Sequence, residues 1–151
     1  EVPFPDSSKD GFVARLDGDL NVVHAIVLGG AGDQEVLDLA LDDHDNIYLV
    51  GTNSGFISLP GVSHQATGTA FDGFILALSP NLQAQWLVPF ESSDSARPYR
   101  VATDPSAERV AVGGAFKGVL TLPPELGGSA TSAMGSDDIF VALFDTGVAT
   151  Q

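Results

Sequence analysis

The sequence contains no cysteine. That excludes disulfides, thiolate catalysis and cysteine-ligated zinc or iron–sulfur centres. Positive charge is nearly as scarce: 6 Lys and Arg stand against 20 Asp and Glu, a formal net charge of -14 and a pI near 4.1. Such a balance argues against nucleic-acid binding through a broad basic surface and against docking on anionic lipid. No apolar run approaches the roughly 18 residues of a membrane-spanning helix, so no membrane insertion is expected. The first residues, Glu1-Val2-Pro3-Phe4-Pro5, lack a basic n-region and an apolar h-region. A signal peptide is therefore expected to be absent or already removed. Helical periodicity is missing too: no window of about eleven residues places apolar side chains at i, i+3, i+4 and i+7.

What is present is strand chemistry. Apolar residues make up 44% of 151, enough for a core in a single region spanning 1–151. Leu37, Leu39 and Leu41 alternate with Asp38, Ala40 and Asp42. Phe12-Val13-Ala14, Ile47-Tyr48-Leu49-Val50, Phe74-Ile75-Leu76 and Ile139-Phe140-Val141 are short β-prone runs bounded by Asp, Gly, Asn or Ser. The pattern predicts strands over 10–17, 22–29, 36–42, 46–52, 72–79, 84–90, 99–104, 109–116 and 137–145. Asp17-Gly18-Asp19, Ser79-Pro80-Asn81 and Asp145-Thr146-Gly147 supply tight turns. The fold class read from this is all-β.

The chain also repeats itself. Asp10-Gly11-Phe12-Val13-Ala14-Arg15-Leu16 returns 62 residues later as Asp72-Gly73-Phe74-Ile75-Leu76-Ala77-Leu78. It returns again, 66 residues further on, as Asp138-Ile139-Phe140-Val141-Ala142-Leu143-Phe144. Leu20 matches Leu82, His24 matches Trp86, Val50-Gly51 matches Val112-Gly113, and Gly55 to Pro60 matches Gly118 to Pro123. About four strands per period is the pattern of a β-propeller blade. A β-sandwich is the alternative all-β reading.

Three segments in order carry a family likeness: Asp10 to Asp17, Val27-Leu28-Gly29-Gly30-Ala31-Gly32-Asp33, and Leu39 to Asp42 with Asn46-Ile47-Tyr48-Leu49-Val50-Gly51-Thr52. They resemble the SBBP (beta-propeller) repeat of bacterial extracellular proteins, as two full repeats and a fragment. The second repeat departs from that pattern at Glu91-Ser92-Ser93-Asp94 and at Asp104 to Glu108. The resemblance implies a secreted, periplasmic or cell-surface propeller, usually without a known enzyme activity. Two and a third blades fall short of the roughly four to eight of a closed propeller. The missing blades are expected from a longer chain or from homo-oligomerisation.

The expected function is a non-catalytic extracellular binding or scaffold module that contacts protein or carbohydrate through its loops. A hydrolase- or lyase-type enzyme with a site on a propeller face, and a purely structural propeller segment, are the alternatives. The longest irregular stretches, 53–71 and 117–136, are equivalent in the repeat. Phe56, His64, Phe71, Phe116 and Met134, in or beside them, are the ligand-binding candidates. Asp42-Asp43-His44-Asp45-Asn46 reads first as a turn. Its alternative reading is calcium held by Asp43, Asp45 and Asn46, although the loop lacks the Gly and distal Glu of an EF-hand. No other metal or cofactor is expected. His24, His44 and His64 show no ligand spacing, and Gly29 to Asp33 lacks the following helix of a phosphate cradle. Trp86 reads as a packed strand residue. Asp137-Asp138 are neighbours on a strand that point opposite ways, so they do not form a carboxylate pair.

Overall fold

The computed structural model describes residues 8–104, 108–123, 129–131 and 135–146. Met134, residues 105–107 and Gly147 lie outside them. The described residues are all-β and contain no α-helix. In chain order the strands are β1 (Gly11–Leu16), β2 (Val22–Leu28), β3 (Gln34–Leu41), β4 (Ile47–Asn53), β5 (Phe56–Leu59), β6 (Val62–Gln65), β7 (Asp72–Leu78), β8 (Ala84–Ser92), β9 (Ser95–Thr103), β10 (Arg109–Lys117), β11 (Val119–Thr121), β12 (Ser129–Thr131) and β13 (Asp138–Asp145). Every strand ladder is antiparallel. The sheets are β1–β2, β5–β6, β9–β10–β13 and the six-stranded β3–β4–β7–β8–β11–β12, and none of them closes on itself.

Two expectations are corrected. The segments 53–71 and 117–136, read as irregular, contain the hairpins β5–β6 and β11–β12. Their Ser, Thr and Gly content hides a short alternation, in which Ile57 and Leu120 point inward and are buried while Phe56, Ser58, Val119 and Thr121 do not. β9 begins at Ser95 rather than at 99, because polar Ser95 and Arg97 and the imino acid Pro98 disguise a strand that alternates with buried Ala96.

The six-stranded sheet is the middle layer. All seven residues of β4 and all seven of β7 are buried, and this is why both read as unbroken apolar runs rather than alternating ones. One side, with Leu49, Phe74, Leu76 and Leu78, packs on Val13 and Leu28 of the first sheet and on Ile57. The other side, with Tyr48, Val50, Ile75, Trp86 and Phe90, packs on Val101, Val110, Val112 and Phe144 of the β9–β10–β13 sheet. Trp86 is buried against Tyr48, with ring centroids 6.0 Å apart. Burying each large apolar side chain contributes about 1.5–3 kcal/mol.

The repeat is written into backbone detail. β2 bulges at Val23 and β8 at Gln85; β3 bulges at Leu37 and β9 at Tyr99. Each pair lies 62 residues apart. Leu20 (φ 66) and Leu82 (φ 60) turn their hairpins in the left-handed region, a conformation costing a non-glycine residue about 1–3 kcal/mol. Leu82 is buried in the first core, and that burial offsets the strain.

The alignment of the repeat also shifts by one residue. Gly51 pairs with Val36 and Phe74, and Gly114, not Gly113, pairs with the equivalent Pro98 and Phe140. A Cβ on Gly51 would run into the Glu35 carbonyl oxygen and reach 2.6 Å from Phe74 Cζ. On Gly114 it would run into the Arg97 carbonyl oxygen and reach 2.7 Å from Phe140 Cε1, whereas Gly113 has open space. Gly51→Ala and Gly114→Ala should therefore each destabilise by roughly 2–3 kcal/mol through overpacking. Gly113→Ala should stay within about 0.5 kcal/mol. Urea midpoints at unchanged slope check this.

Candidate functional site

The structure separates the sequence candidates. Phe56 opens β5, 36% exposed, and pairs with Gln65 across the hairpin. His64 is turned inward: its Nε2 lies 3.2 Å from Asp72 Oδ2, and the two side chains are 9% and 0% exposed. Phe71 and Phe116 do come together. With Ser95, Arg97, Tyr99 and Asp137 they line a notch of about 250 Å³ where β9 and β10 meet the start of β7.

Arg97 is the functional candidate that the sequence pattern does not mark. Its guanidinium carbon lies 4.7 Å from the centroid of the Phe71 ring, a cation–π distance. Its Nε is buried with no hydrogen-bond partner among the described residues. The five other cationic side chains each have an oxygen partner. Lys9, Arg109 and Lys117 pair with Glu35, Asp145 and Asp94, and Arg15 and Arg100 donate to the Pro80 and Tyr99 carbonyls. The repeat supplies a contrast: Lys9 and Glu35 stand 62 residues before Phe71 and Arg97, so an ion pair in one repeat is replaced by an arginine on a phenyl ring in the next. The available signal was the run Arg97-Pro98-Tyr99-Arg100, which holds two of the six cations.

The Asp43, Asp45 and Asn46 candidates sit in the β3–β4 turn, where Asp45 is left-handed (φ 61). Asp42 organises that turn. Its carboxylate accepts from the His44 and Asn46 amides at 2.8 and 2.9 Å, from Asn46 Nδ2 at 2.9 Å and from the Tyr48 hydroxyl at 3.1 Å. Burial alone would raise the Asp42 carboxyl, but these donors outweigh it and hold it low. Burial, followed by the Asp42 charge, pushes Tyr48 up to about 12. Among the described residues no group of three or more His, Asp or Glu side chains is placed to hold a metal ion.

The Gly29 to Asp33 segment is bound to its neighbouring loop. Phe56 N donates to Ala31 O at 2.7 Å and Ser54 N to Asp33 O at 2.9 Å. Buried Gln34 Nε2 bridges Ala31 O, Phe56 O and Asn53 Oδ1. A separate apolar hollow of about 230 Å³ lies between β1 and the exposed Leu39 and Leu41 of β3. The sequence matches no family model and no curated protein.

Asp72 ties the hairpin β5–β6 to the middle layer. It accepts from Thr67 N at 2.7 Å and Ser92 N at 3.0 Å, and meets His64. Burial would raise this carboxyl; the His64 side chain and the two amides outweigh it and hold it below its ordinary value. A carboxyl lowered on folding contributes stability above its unfolded value, and that contribution is lost as pH falls through the folded one. Asp72→Asn should therefore cost roughly 3 kcal/mol at neutral pH, from weakened bonds to buried donors. The gap between wild type and variant should close as pH drops below about 3.8. Urea unfolding across that range checks it.

Proposed function

We propose that this chain is a segment of β-propeller type, acting outside the cell as a non-catalytic binding or scaffold module. The observation that carries the reading is the stacking of repeated antiparallel sheets, with the middle layer buried on both sides. Propeller blades are four-stranded antiparallel sheets packed around an axis. β3–β4–β7–β8 has that form; β1 and β2 correspond to β7 and β8, and β9, β10 and β13 to β3, β4 and β7. The likeness of the sequence to SBBP repeats agrees with an extracellular module of this kind.

Contact with a protein or glycan is assigned to the notch around Arg97. Arginine and tyrosine dominate binding hot spots because each offers a planar surface together with directed hydrogen bonds. Tyr99, 45% exposed, provides the open wall, and the Arg97 guanidinium on the Phe71 ring provides the cationic one. The His64–Asp72 pair serves the fold in this reading, because Thr67, Ser92 and His64 already occupy the Asp72 carboxylate.

Thermal-shift screening against neutral and uronate-containing oligosaccharides and acidic peptides tests the reading. The expected result is a raised melting temperature with at least one class, and at least a tenfold loss of affinity in Arg97→Ala, about 1.4 kcal/mol. Binding unchanged in Arg97→Ala overturns the assignment of the site. Hydrolysis or elimination of any of these compounds by the protein overturns the non-catalytic reading.

A further inference from the structure

Both outer surfaces of the layer stack carry exposed apolar strands. On the β1–β2 sheet the cross-strand pairs Phe12 with Val27, Ala14 with Ala25 and Leu16 with Val22 form an outward face without a charged side chain; Phe12 is 71% and Val22 64% exposed. On the far side, Ile139, Val141 and Leu143 of β13 are 86%, 80% and 60% exposed. They stand opposite Ala115, Gly113 and Ala111 of β10. In a chain of net charge -14, two exposed apolar strand faces of this kind mark interaction surfaces, the second bordered on β9 by Arg100 opposite Gly113 and Arg97 opposite Ala115.

The repeat says which way each face points. Phe12 and Leu16 correspond to Phe74 and Leu78, which are fully buried against the preceding sheet. Val141 and Leu143 correspond to Ile75 and Ala77, which are fully buried against the following sheet. Among the described residues, one surface is thus a backward face and the other a forward face, each with no sheet packed on it. Leu20 sharpens this. Its counterpart Leu82 is 4% exposed, yet Leu20 takes the same left-handed turn at 77% exposure, with no burial to offset it.

We infer that the two faces belong to one head-to-tail contact: the forward face of the β9–β10–β13 sheet takes the backward face of the β1–β2 sheet of a second copy of this chain. The inference rests on reading the chain as a stack of repeated sheets. A second copy, rather than another complete repeat, is favoured by Ile139. Its counterpart Gly73 lies under β9 of the following sheet, where a Cβ would come 2.6 Å from Pro98 Cδ and 3.2 Å from Ala96 O. Isoleucine in that place obstructs an inner strand like β9. Among the described residues the β1–β2 sheet has no such strand, so it leaves Ile139 room. A contact of this kind is heterologous and produces rings or open chains according to the rotation per step.

Sedimentation velocity on the whole chain, from about 1 to 100 µM, tests the inference. Mass should grow with concentration. It should also grow with NaCl, which screens the repulsion between acidic copies. Phe12→Asp disables only the backward face and Val141→Asp only the forward face. Each alone should remain monomeric with an unchanged circular-dichroism spectrum, and a mixture of the two should give a dimer and nothing larger. Leu16→Lys and Leu143→Lys form a second pair should either first variant unfold. A wild-type monomer at every concentration and salt overturns the inference, as does self-association of either single variant, which would signal a face pairing with itself. The notch adjoins the forward face, since its lining residue Ala115 stands opposite Ile139; Phe12 lies outside it, so a Phe12→Asp variant that loses self-association while keeping its ligand separates the two readings.

Discussion

Everything in this molecule depends on covering both faces of one sheet. β4 and β7 cannot turn either side to water, since alternate residues on each are large and apolar. A single partner layer would satisfy only half of them. The first sheet with the hairpin β5–β6, and the β9–β10–β13 sheet, are therefore needed together. Close stacking in turn dictates glycine at Gly51 and Gly114, where a neighbouring carbonyl and a phenylalanine ring fill the place of a Cβ. Stability becomes a sum over neighbouring layers, as in other repeat proteins.

The buried polar groups serve the same stacking. Asp42, Asp72 and Gln34 each gather several donors or acceptors at the ends of strands, where a turn or hairpin must be bound to the sheet. Neither carboxylate stands alone in apolar surroundings, where it would be costly; Gln34 is held through its Nε2, while its Oε1 is buried with no partner among the described residues. A carboxylate that accepts from backbone amides needs no lysine or arginine to balance it. This accounts for Asp42 and Asp72 in a chain with only six cations.

Much of the fold was legible because strands and turns have local signatures. Alternation around Leu39, the apolar runs at Ile47 and Phe74, and the recurring Asp-led motif located the main strands and the repeat. The hairpins at Phe56 and Val119 were not legible, because three or four residues of alternation amid Ser, Thr and Gly carry too little signal. The slip from Gly113 to Gly114 was hidden for a related reason: adjacent glycines look alike in sequence and differ only in which neighbour fills the space above them. Among the candidate residues, Phe71 and Phe116 did converge. His64, a ligand-binding candidate by its place in the chain, is bonded to Asp72, and Arg97 acquires meaning only through a ring 26 positions away.

The close approach at Gly73 carries a consequence for how such a chain changes length over evolutionary time. A gene that grows by duplicating a unit of sixty-odd residues must leave each new unit able to accept the next. Hydrogen at this position, in place of a branched side chain, supplies that permission. A change of one codon, from glycine to isoleucine, withdraws it without disturbing the strand that carries it. The number of units in an array can thus be fixed by a single side chain at its rim, independently of how stable each unit is.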